Sequence, residues 1–272
     1  MDREKFFINC FRNKHIGDDA AVCGSYLYSS DAFFEDVHFK KEWMDCYDVA
    51  YKSMLVNISD AVAMNAKPLY ALLSVALPKR LSSHQLLRLT QGFQDAANVY
   101  GCQIVGGDTV KGEKLHISVT IVSYTKNPLL RTGLKHGDFV AFTGKLGNSK
   151  KGLNRLLNGG KLSRNHRFIK PVLRDAFIYE AARYLRSGMD ISDGLYNDLD
   201  KMLCMNKKGF SWLKHIPKTQ GLSGEEYEML IAFSPKNRAK VEHIAKKHRL
   251  KLTIFAKIAP TKQKLKFKSH HF

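Results

Sequence analysis

Apolar positions recur with two periods along this chain of 272 residues, and each change of period marks an element. A helix-like run begins at about Asp48 and leads into Val56-Asn57-Ile58-Ser59-Asp60-Ala61-Val62-Ala63-Met64-Asn65-Ala66, closed by Pro68. Leu69 to Leu77 reads as a buried strand stopped by Pro78, and Leu86 to Tyr100 has helical spacing. Cys102 to Val105 predicts a strand that ends in the turn Gly106-Gly107-Asp108-Thr109. Beyond it Leu115, Ile117, Val119 and Ile121 alternate with polar residues, the period of a half-buried strand. Further on come a strand at Phe139–Thr143, a glycine-rich turn from Gly144 to Gly152, and helices over Asp175–Arg186 and Tyr196–Met205. The strand Met229–Phe233 follows. Ser234 as cap and Pro235 as first residue then open a helix to about His248, before a last strand at Leu252–Ala256. The order predicts an α+β or α/β chain of two domains, 1–134 and 135–272. The first is a sheet with helices; the second is a mixed sheet with flanking helices.

Composition narrows the class. A hydrophobic content of 44% with 25% charged residues is that of a folded globular chain. Five cysteines, Cys10, Cys23, Cys46, Cys102 and Cys204, are scattered and form no CxxC pair, which points to a reducing cytoplasm. With no apolar run of about 18 residues and a charged start, neither a membrane span nor a signal peptide is expected. The net charge of +19 is uneven. Residues 1–110 hold 11 Lys/Arg against 13 Asp/Glu, residues 111–235 hold 21 against 11, and residues 236–272 hold 12 against 1. The basic half lacks the interleaved aromatics of a stacking platform, so it does not point to nucleic acid.

The acids are the informative residues. Asp19, Asp31, Asp60, Asp108, Asp190 and Asp193 each lie in an apolar setting or at a strand end, beside Gly or Ser. They could be unrelated turn acids, since aspartate is common in turns. Asp60, however, shares a helical face with Val56, Ala63 and Met64, where an ionised carboxylate needs a cation. Two carboxylates about 4 Å apart repel by about 4 kcal/mol at an effective dielectric of about 20. If the acids converge, divalent cations must hold them, and an all-oxygen set without His or Cys pairs suits Mg²⁺. Several Mg²⁺ ions beside glycine turns are the equipment of phosphoryl transfer. No Walker loop is present.

The ordered set GDDAA, SSDAFFEDVHF, AYKSMLVNISDAVAMNAKP, GGDT, LLRTGLKHGD, MDISDGLYNDL and SGEEYEML resembles the thiamine-monophosphate kinase family. That family belongs to the superfamily of aminoimidazole ribonucleotide synthetase. The resemblance covers about Ile16 to Phe233. It implies a cytoplasmic kinase that uses ATP and several Mg²⁺ ions to convert thiamine monophosphate to thiamine diphosphate. It also implies a homodimer formed through the N-terminal sheets. Carried over at matched positions, Mg²⁺ would be held by Asp19, Ser29, Ser30, Asp31, Asp60, Asp108, Asp190 and Asp193. Gly107, Asp108, Arg131 and Ser192 would meet ATP, His38 and Glu225 the thiamine phosphate, with Asp60, Asp108 and Arg131 central to catalysis. Asn65 and Glu226 depart from the family's usual glycine and aspartate, and its C-terminal aromatic position falls on Ser269, with Phe272 nearby. Two rivals remain at this point. One is another enzyme of the superfamily, although Cys10 and Cys23 lack the glycine-rich setting of a selenophosphate synthetase; the other is a non-catalytic nucleotide- or nucleic-acid-binding protein.

Overall fold

The computed structural model describes residues 3–11 and 13–260, so Ser269 and Phe272 lie outside the described residues. Helix α1 (Arg3–Asn9) precedes strands β1 (Ala21–Cys23) and β2 (Tyr26–Phe34). Helix α2 (Cys46–Ala63), strand β3 (Lys67–Pro78), helix α3 (Ser83–Tyr100) and strands β4 (Gln103–Gly112) and β5 (His116–Tyr124) complete a first sheet in the order β1-β2-β5-β3-β4. Then follow β6 (Phe139–Thr143), α4 (Asn148–Leu157), α5 (Asp175–Ala181), β7 (Ser187–Asp190) and α6 (Leu195–Asn206). The chain ends with β8 (Gly209–Trp212), α7 (Lys218–Gly221), β9 (Met229–Phe233), α8 (Arg238–Lys247) and β10 (Leu252–Ala259), and its second sheet has the order β7-β9-β6-β10-β8. This is an α+β architecture built on two five-stranded sheets.

Local chemistry explains the helix limits. Asp45 caps α2 by accepting from the Asp48 amide. A reciprocal box between Ser82 and Gln85 starts α3, and Gly101, at φ 65°, ends it in the left-handed conformation. Helix α2 is apolar almost all round because it is enclosed, packing between the first sheet and side chains of the second half such as Phe168, Phe177 and Ile178. Among the described residues, the first sheet is covered on one face only. Along β2, Leu27, Ser29 and Phe33 are buried while Tyr26, Tyr28 and Ser30 are exposed. On the open face Tyr70, Leu72 and Val110 continue this exposed apolar surface.

Three expectations need correction. Strand β4 does not stop at Val105: it continues through Gly106-Gly107-Asp108-Thr109 to Gly112, because it pairs in parallel with β3 as far as Pro78. The helix expected over Asp175–Arg186 stops at Ala181 and ends in a short 3₁₀ turn, because the Arg186 amide donates to Ala232 and the chain is already entering β7. Helix α4 begins inside the glycine-rich turn, and Gly152 lies within it where a Cβ would meet His166 at 2.4 Å. Strand β8, four residues long, carried no periodic signal.

Candidate active site

Four separate pieces of chain bring carboxylates to one cleft. Asp19 follows the Gly17-Asp18 turn, Asp31 points from β2 toward the helix-covered face, Asp60 sits near the end of α2, and Asp190 ends β7. Oxygens of Asp19, Asp60 and Asp190 all lie within 4.8 Å of one another. The cleft, of about 580 Å³, is also lined by Asp18, Asp31, Ser192, Asp193 and Glu225, with Arg131, Lys201 and His38. Seven carboxylates therefore face two permanent cations among its lining residues.

Burial acts on these acids in one direction. Asp19 is pushed up to about 7, first by loss of water, with the nearby Arg131 charge opposing and the Asp190 charge adding to the rise. Asp31 is pushed up to about 6 by burial, then by Asp190 and Asp193. Asp60 rises well above the ordinary carboxylate range, from burial and then from Asp31, Asp190 and Asp19. Asp190 is raised by burial although the Ser59 hydroxyl donates to it at 2.7 Å.

Two cations are already engaged. Arg131 donates from Nη2 to Asp19 at 2.5 Å and from Nη1 to the Gly17 carbonyl at 3.0 Å. Its main chain is fixed by donation to Asp18 and by the Ser187 hydroxyl and the Asn206 amide, which both donate to its carbonyl. Lys201 pairs with Asp193 and lies 3.4 Å from the buried Asp198. Neither Asp31 nor Asp60 receives a hydrogen bond or salt bridge at its carboxylate among the described residues, and the buried Asp19 Oδ2 has no partner. Hard, anionic oxygens left uncompensated in one pocket fit a divalent cation such as Mg²⁺.

The structure separates the other expected residues from this cluster. Ser29 is buried on the helix-covered face but does not line the cleft, and Ser30 turns to the open face, where its hydroxyl shares a hydrogen bond with Thr120. Asp108 falls in the register row Ala32–Ser118–Ser74–Asp108, next to the row Asp31–Val119–Leu73–Gly107. Neighbouring rows point to opposite faces, so within one chain Asp108 cannot join Asp31 and Asp60. It is exposed on edge strand β4 and, among the described residues, its side chain accepts only from the adjacent Thr109 amide. Gly107, at φ 144°, is compelled by its neighbour: a Cβ there would sit 1.7 Å from the Leu73 carbonyl oxygen.

Residues missed by pattern reading complete the pocket. Lys52, Tyr227, Lys201 and Asp198 lie in or beneath it; three of them fall within the quoted segments, but neither their spacing nor their type singles them out there. The glycine-rich turn before α4 is not an anion cradle, since the Gly147 and Ser149 amides donate to Glu226 at 2.7 and 3.0 Å. Glu228 beside it is buried between Arg167 and Arg174.

Known proteins resemble this chain in sequence and in fold. Residues 17–125 match the family AIR synthase related protein, N-terminal domain. A thiamine-monophosphate kinase of Buchnera aphidicola (subspecies Schizaphis graminum) is 33% identical over 284 aligned positions, covering 93% of this chain and 86% of the relative. The chain belongs to the thiamine-monophosphate kinase family. A crystal structure of the Aquifex aeolicus member superposes on this family member with a TM-score of 0.83 at 26% identity, covering 96% of this chain and 94% of that one. The structure of AaThiL complexed with AMPPCP and TMP gives 0.84 at 26% identity, covering 98% of this chain and 94% of that one. No helix among the described residues is long and apolar enough to cross a membrane.

Proposed function

We propose that this chain transfers the γ-phosphoryl group of ATP to the phosphate of thiamine monophosphate, giving thiamine diphosphate in the cytoplasm. The observation that carries this reading is the convergence of Asp19, Asp60 and Asp190 within 4.8 Å in a member of the kinase family. Asp19, Asp31, Asp60 and Asp190 would hold Mg²⁺, with Asp193 at the edge of the cluster. Bound there, Mg²⁺ would supply charge neutralisation for two phosphate groups that otherwise repel. Arg131, held through its guanidinium by Asp19 and the Gly17 carbonyl, would set a positive charge beside the phosphates, and Ser192 would offer a hydroxyl from the adjacent turn. His38 and Glu225 line the cleft where the thiamine moiety would rest. The acceptor oxygen is already anionic, so the reaction needs no side-chain nucleophile. The test is incubation with ATP, Mg²⁺ and thiamine monophosphate, followed by detection of the diphosphate ester. Thiamine itself serves as the unreactive control, and no product from the monophosphate overturns the reading.

The homodimer belongs to the same proposal. An open sheet face carrying Tyr26, Tyr28, Tyr70, Leu72 and Val110, beside an exposed edge strand, is a surface suited to a second copy. Gly107 and Asp108 lie on that edge strand, so the copy would cover them. Leu72→Glu places a charge in the centre of this face. The variant should sediment as a monomer, with turnover lower by about tenfold or more. A Leu72→Glu dimer with normal rates would refute the interface.

A further inference from the structure

Lys52 lies in the middle of α2 with none of its side chain exposed, an unusual place for an ammonium group. Its Nζ donates to Glu225 Oε2 at 2.6 Å, and Glu225 keeps 31% of its side chain open to the cleft. The same Nζ stands 3.9 Å from the centre of the Phe168 ring and 5.6 Å from that of Phe33. Phe33 in turn stacks on His38, with ring centres 5.6 Å apart and planes inclined by 27°. One buried cation therefore touches Glu225 directly and His38 through an intervening ring.

Stability alone gives little reason for a lysine here. A well-packed apolar residue of similar volume often serves a buried position as well as an ion pair, or better. The Glu225 backbone is held independently: its amide donates to Ser192 at 2.7 Å, and the Tyr227 amide donates to Ile191 at 3.0 Å. What the backbone leaves undetermined is the direction of the Glu225 carboxylate. Lys52 takes Oε2 from below, and Oε1 has no partner among the described residues. The pair also removes most of the net charge of Glu225, so the group offered to the cleft is an oriented hydrogen-bond acceptor more than a mobile counter-ion.

We propose that Lys52 is a positioning residue for the thiamine moiety, fixing the direction of the Glu225 carboxylate. This rests on the reading that the cleft accepts thiamine monophosphate. It predicts a loss confined to one substrate. Lys52→Met should raise KM for thiamine monophosphate by about tenfold or more, while kcat and KM for ATP stay within about twofold. Glu225→Gln should raise the same KM, and the double variant should be little worse than either single one, because both act through one carboxylate.

Steady-state kinetics of the full chain and these three variants, with melting temperatures alongside, decide the matter. A purely structural Lys52 would lower the melting temperature and leave both KM values alone. That result, or additive effects of the two substitutions, overturns the proposal. If Lys52→Met does not fold, Lys52→Arg keeps the charge but has a longer reach that displaces the carboxylate, and it must raise the same KM selectively. Wild-type protein that makes no thiamine diphosphate overturns the functional reading. Wild-type turnover with an unchanged KM in a folded Lys52 variant overturns the role of Lys52 alone.

Discussion

Replacing Asp60 by Asn is expected to abolish most turnover while making the metal-free chain more stable. Asn keeps the shape of the side chain and removes a carboxylate whose protonation is favoured by burial and then by Asp31, Asp190 and Asp19. In the metal-free state that charge is a liability, since no cation or donor is bonded to it among the described residues, so its loss relieves repulsion. With Mg²⁺ the balance reverses: the cluster loses a ligand, and with it charge stabilisation of several kcal/mol in the transition state, roughly 10²- to 10⁴-fold in rate. The expected pattern in chelator at about pH 8 is a higher melting temperature than wild type, little further stabilisation by Mg²⁺, and near-absent product. Asp193→Asn should cost less, because Lys201 already neutralises Asp193. Near-normal turnover of Asp60→Asn, or its full stabilisation by Mg²⁺, would remove Asp60 from the proposed metal set.

The second large effect is the coupling of metal and pH. Asp19 at about 7 and Asp31 at about 6 both lie above the ordinary carboxylate value, chiefly through burial. Between about pH 4 and pH 7 the folded chain thus holds protons that the unfolded chain has released, and stability falls as pH rises through that window. The metal-free protein should melt higher at about pH 5.5 than at about pH 8, by about 5 °C or more. Mg²⁺ competes with those same protons, so its stabilising effect should be small at the lower pH and large at the higher. Melting curves at both pH values, with Mg²⁺ and with chelator, check this. Equal Mg²⁺ stabilisation at the two pH values would show that the ion does not bind these carboxylates.

Helix α2 is legible from its long apolar spacing, but it ends at Ala63, where Asn65 turns left-handed at φ 57°, and the expected stop Pro68 lies inside β3. Strand β5 was legible because its alternation is clean. The continuation of β4 was not, since two glycines read as a turn unless a partner strand holds them extended. Likewise no local pattern shows that the Gly147 amide, in the glycine-rich turn, donates to Glu226, 79 residues away.

By itself the sequence determined a chain of mixed helices and strands, most of their order, and a set of candidate acids in apolar settings. Those signals are local, set by side-chain period and by the cost of a carboxylate in an apolar run. Only the tertiary structure decided which acids share a pocket. Asp19, Asp60 and Asp190 meet because a loop, a helix and a strand end at one place, whereas Asp108 lies on the other side of the sheet by a shift of a single register row. The Lys52–Glu225 pair likewise spans 173 positions. Such pairings depend on where distant segments pack, which no local pattern contains.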